Sequence, residues 1–235
     1  NSQFLFGKIL SYISTDLVYF ENVLEKSNLY YLVNNNELQS HHYSAYQLKY
    51  IEKNKLLSNK FENDTLRQIK RLNNLGELEF KTIKNSGCKK KFFSFLKYHK
   101  ERQLEETKNW NYFKNENYSN FLKNILFNDY YSEISALYLN KQIVAGHFGL
   151  KIFDRFYYLF PTFDKNFSKY SPGNIVLFYL VKNFFKNGGK IFDLTTGDEN
   201  YKIKISNNIN KVFYFNKSYS IKGHILELII FFINL

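Results

Sequence analysis

SPGNIVLFYLVKNFFKNGGKIFDLTTGDENYK, residues 171–202, is the stretch whose reading decides the fold. Ser171, Pro172 and Gly173 open a helix: Ser caps it, Pro fits the first turn, and Gly lets a backbone or ligand come close. Leu177, Leu180, Val181 and Phe184 then fall on one face at helical spacing, Lys182 and Lys186 fall on the other, and Gly188 and Gly189 supply the stop. A short apolar strand follows, Ile191 to Leu194, ending in the polar loop Thr195 to Glu199. A helix against a strand that opens into polar residues is where an α/β protein usually binds its ligand. The first N–H groups of the helix have no partner within it and the dipole is positive there, so an anion suits that end; a plain structural cap is the alternative.

Working outward, composition bounds the rest. In 235 residues, 44% are hydrophobic and 20% aromatic, enough for one well-buried domain or two small ones and too apolar for disorder. Methionine is absent, position 1 included, so the chain reads as a piece whose own N-terminus lies upstream. The single cysteine, Cys88, excludes an internal disulfide and a multi-cysteine metal site, so no metal is expected and a reducing, cytoplasmic setting fits. The net charge of +12 is nearly all lysine, arginine being confined to Arg67, Arg71, Arg102 and Arg155. Such an excess draws nucleic acid, anionic lipid and phosphate-bearing cofactors alike. The most apolar run, Ile225 to Leu235, is interrupted by Glu227 and Asn234 and is too short to span a bilayer, which leaves peripheral contact with an anionic membrane surface.

Upstream of the deciding stretch, the alternation from Glu133 to Leu139, the turn Asn140–Lys141, the return from Ile143 to Ile152 and the run from Phe156 to Phe163 predict a meander. Pro161 places the last strand at an edge or a bulge. Before that, Lys89 to Phe127 reads as two helices joined by a loop holding Trp110, preceded by a basic helix with Asp64 as its cap, Gly76 as its stop, and a strand from Glu77 to Ile83. Nearest the N-terminus the spacing predicts a strand at Leu29 to Val33 and a helix from Glu37 to Leu57, on which His41 and His42 point about 100° apart and do not share a metal. Downstream, a short helix at Asp198 to Ile205, a strand at Lys211 to Phe215 and a helix at Ile221 to Ile233 are expected.

Three pieces carry a resemblance. DTLRQIKRLNNLGELEF at Asp64 to Phe80, LYLNKQIVAGHFGL at Leu137 to Leu150, and YSPGNIVLFYLVKNFFKNGGKIFDLTTGDENYK at Tyr170 to Lys202 resemble, in that order, the Gcn5-related N-acetyltransferase (GNAT) fold. They are similar to one branch in particular, the CelD/BcsL-like acyltransferases of cell-envelope polysaccharide work, which in turn resemble Fem-type aminoacyl transferases. The resemblance implies an α+β (α/β) fold with a mixed, mainly antiparallel twisted sheet flanked by helices. It divides the chain into residues 1–62, the remnant of a degenerate N-terminal GNAT half, and residues 63–235, the acyltransferase domain. It implies acetyl-CoA or another acyl-CoA as donor and a sugar or envelope precursor as acceptor. The glycine-rich pyrophosphate loop of ordinary GNAT enzymes is missing, with Phe167-Ser168-Lys169-Tyr170 in its place, so another thioester or an aminoacyl-tRNA also stays open as donor.

The site residues follow from that frame. A thioester carbonyl beside Phe160 and Pro161 would receive a strand N–H, and the donor's phosphates would meet Ser171, Pro172, Gly173 and Asn174, with the free N–H groups at Gly173 and Asn174. An attacking amine or hydroxyl must lose a proton and the leaving sulfur needs one, so the site wants a carboxylate base and a weak acid. Asp193, Asp198, Glu199, Tyr201 and Lys202 offer both, with Tyr201 as the acid; each carboxylate also has a structural use as a cap or ion pair. His147 is an alternative base. Three readings stay open: acyl transfer from a thioester to an envelope sugar, Fem-like transfer from charged tRNA, and an inactive GNAT scaffold.

Overall fold

A computed structural model of the chain describes residues 2–12, 14–34, 39–51 and 56–233. They form two compact units: Asn1–Tyr46 with Thr196–Asp198 and Ile209–Leu235, and a larger one, Gln47–Thr195 with Glu199–Asn208. The smaller unit opens with α1 (Ser2–Tyr12), β1 (Leu17–Leu24) and α2 (Asn28–Val33). The segment Leu29 to Val33, expected as a strand, is helical because the Ser27 hydroxyl accepts the Tyr30 N–H at 3.1 Å and caps it. The helix expected from Glu37 to Leu57 is instead strand β2 (Gln39–Lys49), while residues 37, 38 and 52–55 lie outside the described residues. Ala45, Tyr46, Gln47 and Leu48 are buried in succession, as in a strand covered on both faces, and such a run lacks the alternation that marks a half-exposed strand. His42 therefore sits on a strand, its ring 5.4 Å from that of Phe213.

In the larger unit, α3 (Asn59–Asn73) begins ahead of Asp64 because Ser58 caps it, accepting the Phe61 N–H at 3.3 Å. Asp64 lies within the helix and pairs with Arg67. Strand β3 (Leu78–Thr82) leads to α4 (Ser86–Glu106) and α5 (Glu116–Phe127), then to β4 (Ser132–Leu139), β5 (Gln142–Ile152) and β6 (Arg155–Phe163). Asn140 and Lys141 turn at φ of 49° and 67°, the left-handed pair a tight hairpin requires. Helix α6 (Pro172–Lys186) crosses to β7 (Ile191–Thr196), which joins β6 in parallel and gives the order β7-β6-β5-β4-β3. One sheet face is packed by Phe92 and Leu96 of α4 and Leu122 and Leu126 of α5 against Ile134, Ala136 and Phe148. Ile175, Leu177, Val181 and Phe184 of α6 are also buried, and Phe184 reaches the Phe156 and Phe192 rings.

After α7 (Asn200–Ile205), strand β8 (Asn208–Ser218) pairs antiparallel with β1, and α8 (Ile221–Ile233) ends the described chain. Leu10, Val23, Val33, Phe213 and Phe215 form the core of the smaller unit. The pairs β1–β8, β3–β4, β4–β5 and β5–β6 are antiparallel and β6–β7 is parallel, with helices flanking them, which is the mixed, mainly antiparallel class the resemblance implied. Among the described residues no helix is long and apolar enough to cross a membrane.

Candidate active site

Strands β6 and β7 share three rungs, Arg155 with Ile191, Phe156 with Phe192 and Tyr157 with Asp193. Beyond the third, β6 continues to Phe163 and β7 to Thr196 without pairing to one another, so the sheet forks. The fork starts at a bulge: between the pairs Phe148–Phe160 and Leu150–Tyr157, Tyr158 and Leu159 oppose Gly149 alone. The Leu159 N–H, freed from the ladder, donates to Nε2 of His147 at 3.1 Å. The imidazole is fully buried and stacked on Tyr158, with 4.2 Å between centroids and 1° between planes. Gly149 makes room for it: a Cβ there would lie 2.4 Å from the imidazole Cε1 and 2.3 Å from the Tyr157 carbonyl oxygen. Burial holds His147 well below its ordinary 6.5, with the charge of Lys100 adding to the effect, so the ring is neutral and its accepting Nε2 leaves the proton on Nδ1.

This geometry changes the expected carbonyl contact. Asp164 donates its N–H to the Val144 carbonyl at 2.9 Å, and the register from there turns the N–H of Phe160 toward β5 rather than into the fork. Pro161, paired with His147, has no N–H to give. By the same alternation it is Phe163 whose N–H faces the fork. Phe160 instead stacks on Phe148 at 5.5 Å, and Tyr112 from the loop after α4 packs on it at 6.1 Å.

The anion-binding end is narrower than the sequence implied. Ser171 stands in the left-handed region, φ 49° and ψ 51°, and makes no side-chain cap: the turn before it closes its N–H on the Ser168 carbonyl, and a cap needs an extended backbone. Pro172 is buried at the first helical position. Asn174, expected as a second free donor, turns its N–H to the Ser171 carbonyl at 3.0 Å. Gly173 remains, with no carbonyl one turn back in its helix. A Cβ built on Gly173 meets, within 4 Å, only the Phe163 ring, at 3.7 Å, so there is room for a methyl group beside this residue. Of the two expected main-chain donors, Gly173 is therefore the one not turned back into its own helix.

The titratable groups stand at the other end of the fork. Asp193, on the last shared rung, accepts from Gln47 Nε2 at 2.8 Å, from Arg155 at 3.4 Å and, through its other oxygen, from the Thr195 N–H at 2.9 Å. Thr195 is left-handed, φ 64°, an uncommon conformation for a β-branched residue and one that Asp193 holds in place. Asp198 belongs with Tyr46 to the smaller unit, where it accepts from that tyrosine's hydroxyl at 2.8 Å. Glu199 stands at the cap position of α7 with its side chain 56% exposed, and pairs at 2.9 Å with Lys202, whose side chain is 5% exposed. Burial raises the Tyr201 hydroxyl above its ordinary 10, with Glu199 adding to the rise. Tyr158, the first β6 residue past the last rung, is raised well above 10 by burial and then by the charge of Tyr201, so the two tyrosines flank the start of the fork. The structure thus brings Glu199, Tyr201 and Lys202 together and spends both Asp193 oxygens elsewhere.

Two residues here were missed in the sequence. Tyr158 gave no signal beyond standing near Pro161. Lys100 did: it lies on the inward stripe of α4 with Phe93 and Leu96, where a lysine is out of place. Its ammonium is brought down to about 8 by burial, which Glu199 opposes and Lys202 reinforces.

No curated protein sequence matches the chain. Among solved structures it is similar to L-PGS from Bacillus licheniformis, with a TM-score of 0.65 and 13% identity over 89% of this chain and 71% of that one. It is similar to FemX with a TM-score of 0.60 and 12% identity over 95% and 76%, and to a conserved protein of unknown function from Bacteroides thetaiotaomicron with 0.58 and 16% over 85% and 69%. Identities this low establish a shared fold. The family model described as "Acetyltransferase (GNAT) domain" matches residues 59–203, which hold the fork, the α6 start and the Glu199–Lys202 cluster, and the chain belongs to that family of transferases.

Proposed function

We propose that the chain is an acyltransferase of the CelD/BcsL-like branch, moving an acyl group from a CoA thioester to an amine or hydroxyl of a sugar or other envelope precursor. The observation that carries this reading is the fork itself, open past Tyr157–Asp193 with a donor anchor at Gly173 and proton-handling groups at its start. Glu199, exposed at the cap of α7, takes the acceptor's proton as its nitrogen or oxygen attacks the thioester carbonyl. The oxyanion that forms is met by the Lys202 ammonium, since the bulge amide of Leu159 is held by His147 and Pro161 has none. The carbon–sulfur bond then breaks, and Tyr201, still protonated at neutral pH, returns a proton to the thiolate. Asp193 is a positioning residue that ties Arg155, Gln47 and Thr195 together where the strands part.

The test is thermal stabilisation by acetyl-CoA and longer acyl-CoAs, together with thiol release in the presence of candidate sugars. A ligand at a hundred times its Kd stabilises the folded state by about 2.7 kcal/mol, and no shift with any acyl-CoA would overturn the reading. A Fem-like reading, with aminoacyl-tRNA as donor, draws support from α3, whose Arg67, Lys70 and Arg71 are exposed on one helix. RNA binding that falls steeply with salt, without acyl-CoA stabilisation, would select it. Full biological activity after neutral replacement of Glu199, Tyr201 and Lys202 together would instead leave an inactive scaffold.

A further inference from the structure

We propose that a second cleft in the larger unit, where β3 and β5 end and β4 begins, binds a neutral saccharide. The cleft measures about 750 Å³, within the roughly 300–1,000 Å³ that small-ligand sites occupy. Its walls are the end of β3, the loop before β4 with the first residues of that strand, and the turn from β5 into β6. None of the residues that line it belongs to β6, α6 or α7. The inference therefore stands apart from the acyl-transfer reading and adds a place to hold a ligand rather than a second reaction centre.

Three aromatic rings surround this cleft in the open. Phe153 is 94% exposed and Tyr130 81%, and Tyr131 meets Tyr130 edge to face with 4.5 Å between centroids, an arrangement that occupies one edge and one face. A single exposed ring is ordinary, whereas a group of them around one concavity marks a binding surface. Phe153 is also the wrong residue for its turn. It is the first of the two residues that connect the paired Ile152 and Arg155, and its φ of 54° is one that glycine takes freely and a bulky side chain resists. A large ring kept at a strained and exposed position calls for a use outside the fold.

The polar lining narrows the chemistry. Glu133 is half-buried, and its carboxylate makes no hydrogen bond or ion pair among the described residues. Burial raises its pKa, and the charges of Lys151 and Lys84 oppose the rise. The wall beside it is fixed before any ligand arrives: Tyr130 donates its N–H to Asn128 Oδ1 at 2.9 Å, the Tyr131 carbonyl accepts the Lys151 N–H at 2.8 Å, and Asp129 pairs with the buried Lys89 at 2.5 Å. Two carboxylates, Asp129 and Glu133, and two lysines, Lys84 and Lys151, line the cleft, so the excess that gives the whole chain +12 is missing here. Neither an anion nor a cation is favoured by such walls. A pyranose suits them: its C–H face packs on an aromatic ring, and its hydroxyls donate to a carboxylate and accept from an ammonium. An anionic bilayer, which exposed rings and lysines also attract, would set Glu133 against lipid phosphates.

The experiment is calorimetry of the whole chain with cellohexaose, maltohexaose and the N-acetylglucosamine hexamer, on wild type, Phe153→Gly and Glu133→Gln. Co-sedimentation of the same proteins with vesicles of phosphatidylcholine and phosphatidylglycerol runs beside it. At least one hexamer is expected to bind wild type, about tenfold or more weaker to Phe153→Gly through loss of the ring. The same hexamer should bind about threefold or more weaker to Glu133→Gln, since a neutral acceptor is roughly half as strong as a charged one. Phe153→Gly should melt no lower than wild type, because glycine takes the left-handed φ without strain, and its loss of binding is then no loss of folding. Failure of all three hexamers on wild type, unchanged affinity in either variant, or vesicle binding weakened by Phe153→Gly with no hexamer bound overturns the proposal. Acyl-CoA stabilisation is a separate readout. If acyl-CoA stabilises the chain and no hexamer binds, the saccharide site alone fails. If the hexamers discriminate and acyl-CoA does nothing, the donor assignment alone fails.

Discussion

The Lys202 side chain is only 5% exposed, and a nonpolar side chain of similar length would pack in the same space. Lys202→Met should therefore leave the melting temperature within a few degrees of wild type, because the Glu199 carboxylate left behind is 56% exposed and solvated by water, while turnover falls by about 10²–10³ through loss of the oxyanion's proposed partner. Thiol release and a thermal melt on the same preparation check both halves. His147 gives a pH signature of the opposite kind. Its folded pKa is depressed below 6.5, so below that pH the unfolded chain binds the proton that the folded chain refuses, and stability is lost as pH falls through 6.5. His147→Gln, which keeps an acceptor for the Leu159 N–H, should lose less between pH 7 and pH 5 than wild type does, read as the urea midpoint. The Glu199–Lys202 pair was legible from helical spacing. The burial of Lys202 was not, and neither was the His147–Leu159 bond, because each depends on where the segment folds against the rest of the chain rather than on local spacing.

At the scale of elements, two glycines separate folding from binding. Gly149→Ala forces a Cβ into the Tyr157 carbonyl and the His147 ring and should destabilise by about 1–3 kcal/mol or more in chemical denaturation. Gly173→Ala meets only ordinary contact with Phe163, so its stability should match wild type within about 0.5 kcal/mol while KM for the acyl-CoA rises. Helix α6 was readable because its apolar residues recur at the helical period and it stops at Asn187 and Gly188, and β7 because a short apolar run follows that stop directly. The segments misread near the N-terminus failed for local reasons: one hydroxyl at Ser27 sets α2, and in β2 four buried residues in a row erase the period that names a strand. The fork was half legible. Pro161 announced an irregular strand, but the unpaired length beyond Tyr157 is a property of register, which a single strand's sequence does not carry.

For the whole molecule, a net charge of +12 acts at a distance rather than at any one contact. It should raise the rate at which an anionic donor or acceptor arrives, so kcat/KM is expected to fall as salt rises from 20 to 300 mM while kcat changes little, because groups already in contact at the site are screened far less than a ligand approaching from beyond about 8–10 Å. The GNAT resemblance read from three short stretches extended to most of the chain, since residues 59–203 fit one family model, and that match carries the fold and the transferase family rather than the branch or the acceptor. The forked sheet carries one more consequence. The part of β6 past Tyr157 is not paired to β7, and although His147 holds the Leu159 N–H and Pro161 has none, its carbonyls and the Phe163 N–H are left as an edge that an extended chain could meet. If the proposed donor lies in that gap it covers the edge, so light scattering of the free chain should show self-association that acyl-CoA reduces.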